Sequence, residues 1–227
     1  MKKYNLIIAA MDEEMNALVN ILPNLNIVTI DNEQMFEFTL NNENYILGRG
    51  KIGKVHTAIF LTKLFENLNI KRVFNIGTSG GVDSSLNISD VIIADKVCYH
   101  DVDVTGFNYD LGQMCGCPTY FVCDNDFIDS KIIDSKYQIK RGLIVSGDQF
   151  VTKKNLNKLN VLKFKNVLAC DMEASAVGQV CDLYGIPFVV VRSISDIVTK
   201  DENSRMFDDN LNNSSTNSAL VLLELLK

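Results

Sequence analysis

Short apolar runs alternate with stretches of helical spacing along almost the whole chain, which is the pattern of an α/β protein. Residues 4–10 (YNLIIAA) read as a strand, and 13–22 as a helix that Pro23 stops. Residues 26–47 give short strand-like pieces, and the turn formers Asp31-Asn32 and Asn41-Asn42 between them predict hairpins. Helical spacing returns over 53–68, with Val55, Ala58, Ile59, Thr62, Leu64 and Phe65 supplying much of the apolar face. Residues 72–76 form a strand running into Gly77-Thr78-Ser79-Gly80-Gly81, and 91–97 form another. A short strand over 142–145 ends in Ser146-Gly147-Asp148. One over 167–170 leads into a helix, 172–184, which Gly185 and Pro187 terminate. Phe188-Val189-Val190-Val191 has the character of a strand covered on both faces, and it ends abruptly in Arg192, Ser193, Ser195 and Asp196. A last helix is expected over 207–226, although Asn212-Asn213-Ser214-Ser215-Thr216-Asn217 in its middle are poor helix formers. No repeat and no long linker divides the chain, so residues 1–227 are expected to form a single domain.

Composition narrows the classes. With 227 residues, 47% hydrophobic and 22% charged, the chain has enough apolar mass for one sizeable core. No uncharged apolar stretch approaches 18 residues, so no membrane span is expected. The opening MKKYNLIIAAMDEE has two lysines before an apolar run, as a signal peptide does. The run is short and ends in three acids rather than a small-residue cleavage site, so a first strand is the better reading. A net charge of -6, with no basic cluster, argues against nucleic acid as a partner. Six cysteines show no CxxC pair and no zinc spacing, which fits reduced thiols in a cytoplasm, with Cys170 and Cys181 in the core. His100-Asp101-Val102-Asp103 is a thin case for a metal site in a chain with two histidines. No metal and no cofactor are expected.

The chemistry gathers at strand ends. Three apolar strands end in polar clusters: Ala10-Met11-Asp12-Glu13-Glu14, Cys170-Asp171-Met172-Glu173 and Arg192-Ser193-Ile194-Ser195-Asp196. If these strands run parallel, the clusters share one edge of the sheet, the edge at which open α/β folds bind ligands. The glycine-rich 77–81 reaches that edge too, where glycines let a ligand approach the backbone. Gly48-Arg49-Gly50-Lys51-Ile52-Gly53-Lys54 has P-loop spacing, but Val55 stands where Ser or Thr is required. Residues 77–81 do not fit GxGxxG either. Taken alone, each acid is equally a carboxylate at a helix N-terminus, and Asp12 and Glu13 fit that reading. Together, Glu14, Glu173 and Asp196 suit cleavage of a glycosidic bond, since burial and like charge raise carboxyl pKa values toward neutrality.

At these residues the chain resembles the 5′-methylthioadenosine/S-adenosylhomocysteine nucleosidases, within the purine nucleoside phosphorylase and uridine phosphorylase fold group. The resemblance rests on AAMDEEM (9–15), GKIGKV (50–55), NIGTSGG (75–81), YHDVDVTGFNY (99–109), RGLIVSGDQF (141–150), DMEASA (171–176) and VVVRSISD (189–196). It departs in Thr78 and Ser79, where Ser and Ala are usual, in Asp12 and Asp171 for Glu, and in Cys115 for Pro. It implies a three-layer α/β/α fold with a central mixed twisted sheet, nucleoside phosphorylase-like. It also implies roles. Asp196 would protonate N7 of adenine, with Ser195 orienting it, and Glu14 would activate the attacking water. Glu173 would hold the ribose hydroxyls, with Met172 beneath the sugar and Thr78 and Gly80 beside it. Phe150 would stack on the purine and the backbone of Val151 would bond its edge. Met11, Ile52 and Phe207 would line the 5′-thio pocket. Val104, Phe107 and Tyr109 match a segment that completes a neighbouring subunit's pocket, which implies a homodimer. Arg192 would neutralise nearby carboxylates. A nucleoside phosphorylase, an aminodeoxyfutalosine nucleosidase and a non-catalytic nucleoside-binding protein remain as alternatives.

Overall fold

Ten strands and five α-helices account for the alternation among the described residues, 2–227, of the computed structural model. In chain order they are β1 (Lys3–Ala9), α1 (Asp12–Val19), β2 (Asn26–Ile30), β3 (Glu33–Leu40), β4 (Glu43–Arg49), α2 (Lys54–Asn67) and β5 (Asn69–Gly81). There follow β6 (Val91–Tyr99), β7 (Phe121–Val122), α3 (Asn125–Asp129), β8 (Ile139–Ser146), β9 (Val167–Asp171), α4 (Ala174–Tyr184), β10 (Phe188–Ile197) and α5 (Asn203–Leu225). All strands belong to one mixed sheet, ordered β10-β6-β8-β9-β5-β1-β4-β3-β2, with β7 on β6. An additional β10–β5 pairing joins β5, β10, β6, β8 and β9 into a closed ring. Helices α1 and α5 pack together against one side of the sheet, and α2 and α4 together against the other. No helix among the described residues is long and apolar enough to cross a membrane.

The hairpins form where the sequence predicts them. Ile30 pairs with Glu33 and Leu40 with Glu43, leaving two-residue loops. Asp31, Asn32, Asn41 and Asn42 all take positive φ, between 49° and 64°, the backbone that a two-residue hairpin turn demands. The core follows the apolar runs: Leu6, Ile7 and Ile8 of β1, Phe74 and Ile76 of β5, and Val189 to Val191 of β10 are all buried. A smaller cluster around Leu143, Val161, Val167 and Val198 supports the far side of the ring.

Several expectations change. Helix α1 ends at Val19, short of the expected 22, and Asn20 closes it before Pro23 acts. The buried face of α2 is Thr57, Phe60, Leu61 and Leu64, whereas Val55 and Ile59 are 67% and 51% exposed. Apolar residues lie on two sides of this helix, so its periodicity alone allows either phase. Residues 77–81 are strand rather than loop, paired through Gly77 with Arg192 and through Gly80 with Asp196. Glycine is needed at Gly77 for room: a Cβ there would overlap Glu14 Oε1 and Arg192 Nη1, and φ is +150°. Helix α5 starts at Asn203, four residues before 207, and continues through the poor formers. Their small size permits close packing on β10, where Ser214 Oγ donates to the Ile194 carbonyl at 2.9 Å. Packing overrides propensity here.

The parallel premise also needs correction. Strands β1, β5 and β10 run parallel, but β9 is antiparallel to β5. The two meet through their last residues, Gly80 opposite Cys170 and Gly81 opposite Ala169, so their carboxyl ends still converge.

Helix α4 sits tightly on β6 and β7 because Gly178 has no side chain. A Cβ there would lie 2.7 Å from Phe121 Cβ and 2.8 Å from Val97 Cγ2, atoms close to backbone that cannot swing away. Gly178→Ala gains roughly 1 kcal/mol of helix propensity. It meets overpacking worth about 1–3 kcal/mol. A net loss of stability is expected in urea denaturation; an unchanged or raised midpoint would show that α4 is free to shift.

Candidate active site

The converging carboxyl ends enclose a cavity of about 310 Å³. Glu14 reaches it from the first turn of α1, where it folds back as a cap. Its Oε2 accepts from Ala10 N at 2.9 Å and Met11 N at 3.1 Å, and its Oε1 from Thr78 N at 2.9 Å and Thr78 Oγ1 at 3.2 Å. Neighbouring Asp12 and Glu13 stay exposed, Asp12 paired with Arg49, as their placement at a helix start suggests. Glu173 lies in the corner between β9 and α4, and its Oε1 accepts from Gly53 N at 2.9 Å. Arg192 on β10 is 1% exposed. Its Nε and Nη2 donate to Asp171 Oδ2 at 3.0 and 2.6 Å, Nη2 also to Asn75 Oδ1 at 2.8 Å, and Nη2 lies 3.6 Å from Glu173 Oε2.

Asp196 enters through an irregularity in β10. The register with β5 runs Ile194 to Ser79 and then Asp196 to Gly80, so Ser195 is an extra residue. Strict alternation would send two consecutive residues to opposite faces. The extra residue re-aims the chain, and both Ser195 and Asp196 line the cavity. Asp196 Oδ1 accepts from Ser195 Oγ at 3.0 Å and Oδ2 from Asn203 Nδ2 at 2.7 Å.

The cavity brings together Met11, Glu14, Ile52, Thr78, Gly80, Phe150, Val151, Met172, Glu173, Ser195, Asp196 and Phe207. Phe150 and Phe207 meet edge to face, centroids 5.6 Å apart. Val104, Phe107 and Tyr109 do not line it in the single chain. Val102, just before this segment, is buried, while Phe107 is 79% exposed. Ala10, Ser79, Gln149, Cys170 and Asp171 also line the cavity without having been singled out as binding residues. Cys170 is buried, as expected of a core residue, yet also borders the cavity. Nothing in the sequence marks Asn203, because the polar stretch 198–206 carries no periodicity.

Burial raises the pKa of Asp196, against the hydrogen bonds from Asn203 and Ser195 that favour the anion. It raises Glu14 too, opposed by Arg192 and by the amides of Thr78, Ala10 and Met11. Glu173 is pushed up to about 8, first by burial and then by Asp171, with Arg192 opposing. Burial works against the charge of Arg192, but Asp171, Glu173 and Glu14 hold its proton. Among the described residues no lysine or arginine lines the cavity. The arrangement can hold a proton at one end and negative charge at the other.

Arg192→Met removes the cation that faces Asp171 and Glu173 in the interior, and breaking a buried ion pair in this way typically costs about 3–5 kcal/mol. Without the cation, the folded-state pKa values of Glu14 and Glu173 rise further above their unfolded values. Stability is then retained at low pH and lost as pH rises through those raised values. Denaturant unfolding should therefore show a larger deficit at pH 8 than at pH 5. An equal deficit at both would mean that Arg192 matters through packing alone.

A model of the phosphorylase superfamily matches residues 5–227. A 5′-methylthioadenosine/S-adenosylhomocysteine nucleosidase of Bacillus pumilus is 38% identical, covering 97% of each chain. One of Psychromonas ingrahamii is 36% identical, covering 97% of this chain and 96% of its own. Among solved structures, the Streptococcus pneumoniae nucleosidase with the transition-state inhibitor MT-ImmA superposes with a TM-score of 0.91 at 33% identity, covering 99% and 98% of the two chains. That of Colwellia psychrerythraea with adenine gives 0.89 at 29% identity, covering 100% and 95%. The chain belongs to the 5′-methylthioadenosine/S-adenosylhomocysteine nucleosidase family of the phosphorylase superfamily.

Proposed function

We propose that residues 1–227 act as one domain that hydrolyses the N-glycosidic bond of 5′-methylthioadenosine and S-adenosylhomocysteine, releasing adenine and the thio-substituted ribose. The observation that carries this reading is a cavity with four buried carboxyl groups, Glu14, Asp171, Glu173 and Asp196, and, among the described residues, no lysine or arginine lining it. Adenine leaves poorly as an anion. Asp196, kept protonable by burial, delivers a proton to N7, and general acid catalysis of this kind contributes about 10²–10⁴-fold. The sugar left behind is cationic, and Glu14 and Glu173 stabilise it electrostatically.

Glu14 takes up a proton from water. Three of its four donors are backbone amides and are fixed. The fourth is the Thr78 hydroxyl, the longest at 3.2 Å and a free rotor. Turning that hydroxyl away opens a lone pair to the nucleophilic water. Glu173 holds the ribose hydroxyls above Met172, Phe150 stacks on the purine, and the Val151 backbone bonds its edge. Met11, Ile52 and Phe207 receive the 5′-thio group. A phosphorylase reading is disfavoured, because phosphate carries about two negative charges and needs cations around it. Arg192 is enclosed by Asp171 and Asn75, so it does not serve. Six unpaired cysteines suit a reducing compartment, and we assign the protein to the cytoplasm.

The partner of each chain is a second copy. Phe107 is the most exposed aromatic of a segment that a homodimer would place over the neighbouring cavity mouth, beside the 48%-exposed Ile52. Sedimentation should give a dimer at assay concentration; a fully active monomer would exclude it.

Methylthioadenosine, S-adenosylhomocysteine, adenosine and inosine, each with and without phosphate, test the reaction. Adenine release from the thio-substituted nucleosides without phosphate is expected, and strict phosphate dependence would overturn hydrolysis. The roles separate in two variants. Asp196→Asn should slow adenine departure by about 10²–10⁴-fold, and an activated leaving group should recover much of the rate. Glu14→Gln should impair every substrate alike. Rescue of the Glu14 variant alone would show acid and base exchanged.

A further inference from the structure

We infer that Asn203 is a positioning residue for the acid: one amide nitrogen, shared between Asp196 Oδ2 and the Val151 carbonyl, sets which oxygen of Asp196 carries the proton and how the acid faces the purine edge. The inference deepens the reading of Asp196 as the proton donor and rests on it. Asn203 is the first residue of α5 and is 2% exposed. Its Nδ2 lies 2.7 Å from Asp196 Oδ2 and 2.9 Å from Val151 O. It does not border the cavity itself, whereas both of its partners do. Nor is it spent on the helix: α5 has no side-chain cap, and its start is set by Glu202 in a left-handed conformation, φ 59°.

A carbonyl oxygen only accepts, so the atom facing Val151 O is the amide nitrogen, and that nitrogen only donates. Its second hydrogen therefore points to Asp196 Oδ2, which must accept. When Asp196 is neutral, its proton sits on Oδ1. The neighbour of Oδ1 is Ser195 Oγ at 3.0 Å, and that hydroxyl also lies 3.3 Å from the Ser79 carbonyl. Ser195 can turn its own hydrogen to Ser79 O and accept from Oδ1–H until a purine nitrogen takes its place. With the proton confined to one oxygen, and the acid tied to the same nitrogen as the Val151 carbonyl, proton delivery and purine registration are set together.

Few titratable groups face Asp196. From β9 the neighbour is the Cys170 thiol, which burial keeps protonated, and from α5 it is the uncharged Asn203. Hydroxyls of Thr78 and Ser79 come from β5, while Glu14, Asp171 and Glu173 border the same cavity within the field of Arg192.

The test is the pH profile of adenine release in Asn203→Ala and in the isosteric Asn203→Asp, which keeps the packing if the alanine variant fails to fold. The amide hydrogen bond favours the Asp196 anion. Its loss keeps Asp196 protonated to higher pH, so the alkaline limb of kcat/KM should move up by about one pH unit. Misplacement of the acid should lower kcat by about ten-fold. The aspartate variant, with a second carboxyl against Oδ2, should move the limb in the same direction. A fall in kcat with the limb unmoved in both variants would reduce Asn203 to a packing residue and overturn the inference. Carboxyl ¹³C titration of the substrate-free protein, with the Asp196 signal assigned by its loss in Asp196→Asn, reads the same link without the reaction. A raised midpoint in Asn203→Ala supports the link even if the wild-type protein releases no adenine, an outcome that would sink only the functional reading.

Discussion

Arg192 occupies a place that almost any other charged side chain would destabilise, fully buried in the middle of strand β10. Removing an ion from water costs several kcal/mol even after the protein relaxes, and only close counter-charges offset it. Here the offset is Asp171, which takes two of the guanidinium's hydrogen bonds, with Asn75 taking another and Glu173 at 3.6 Å. Asp171 is in turn fixed by Ser146 Oγ at 2.5 Å and by Ala174 N at 3.0 Å. One cation thus ties β10, β5, β9 and the start of α4 together at the point where the strands converge. Its charge is largely consumed by Asp171. Glu173 and Glu14 receive only the remainder, and this is why burial still raises both of their pKa values.

Glu14 and Asp196 are similarly buried but differ in their donors, and that difference suits the different roles proposed for them. Four donors converge on Glu14, three of them backbone amides whose positions the fold dictates. Such a carboxylate is held as an acceptor and suits the role of base. Asp196 has two donors, both side chains, on opposite oxygens. A hydroxyl can reverse its role, so one oxygen of Asp196 is able to carry a proton. The support for the proposed division of labour therefore lies in the count and rigidity of the donors more than in the depth of burial.

Much of this was legible in the sequence, for reasons that differ by element. The strand at 188–191 announces itself by β-branched residues, and the hairpins by Asn and Asp pairs at positions of positive φ. The acids stand directly after such strands, so their approach to one cavity could be read. The direction of β9 could not, because pairing partners far apart in sequence leave no periodic trace. The phase of α2 stayed ambiguous since Val55 and Ile59 offer a second apolar side. The pattern places the start of α5 four residues late because Asn203 follows a polar segment, and the value of Asn203 lies in two hydrogen bonds rather than in a period. Ser195 as an extra residue in the β5–β10 register was equally hidden. Apolar period reveals where elements run, whereas departures from regularity, which aim side chains, have no period to read.

The choice of water as nucleophile follows from the same charge distribution. The superfamily carries the name of phosphorylases, and the glycine-rich end of β5 could in principle offer amides to an anion. In this chain the Thr78 amide is already given to Glu14, and Gly77 leaves its space to Glu14 and Arg192. A phosphate would have to displace a carboxylate from those donors and then share the cavity with three more, while the one nearby cation stays bound to one of them, Asp171. Each of these terms opposes a dianion, and none opposes water. Converting such a cavity to phosphorolysis would require freeing Arg192 and removing Glu14 together: without Glu14 the cation stays spent on Asp171, and with Glu14 in place the Thr78 amide stays occupied.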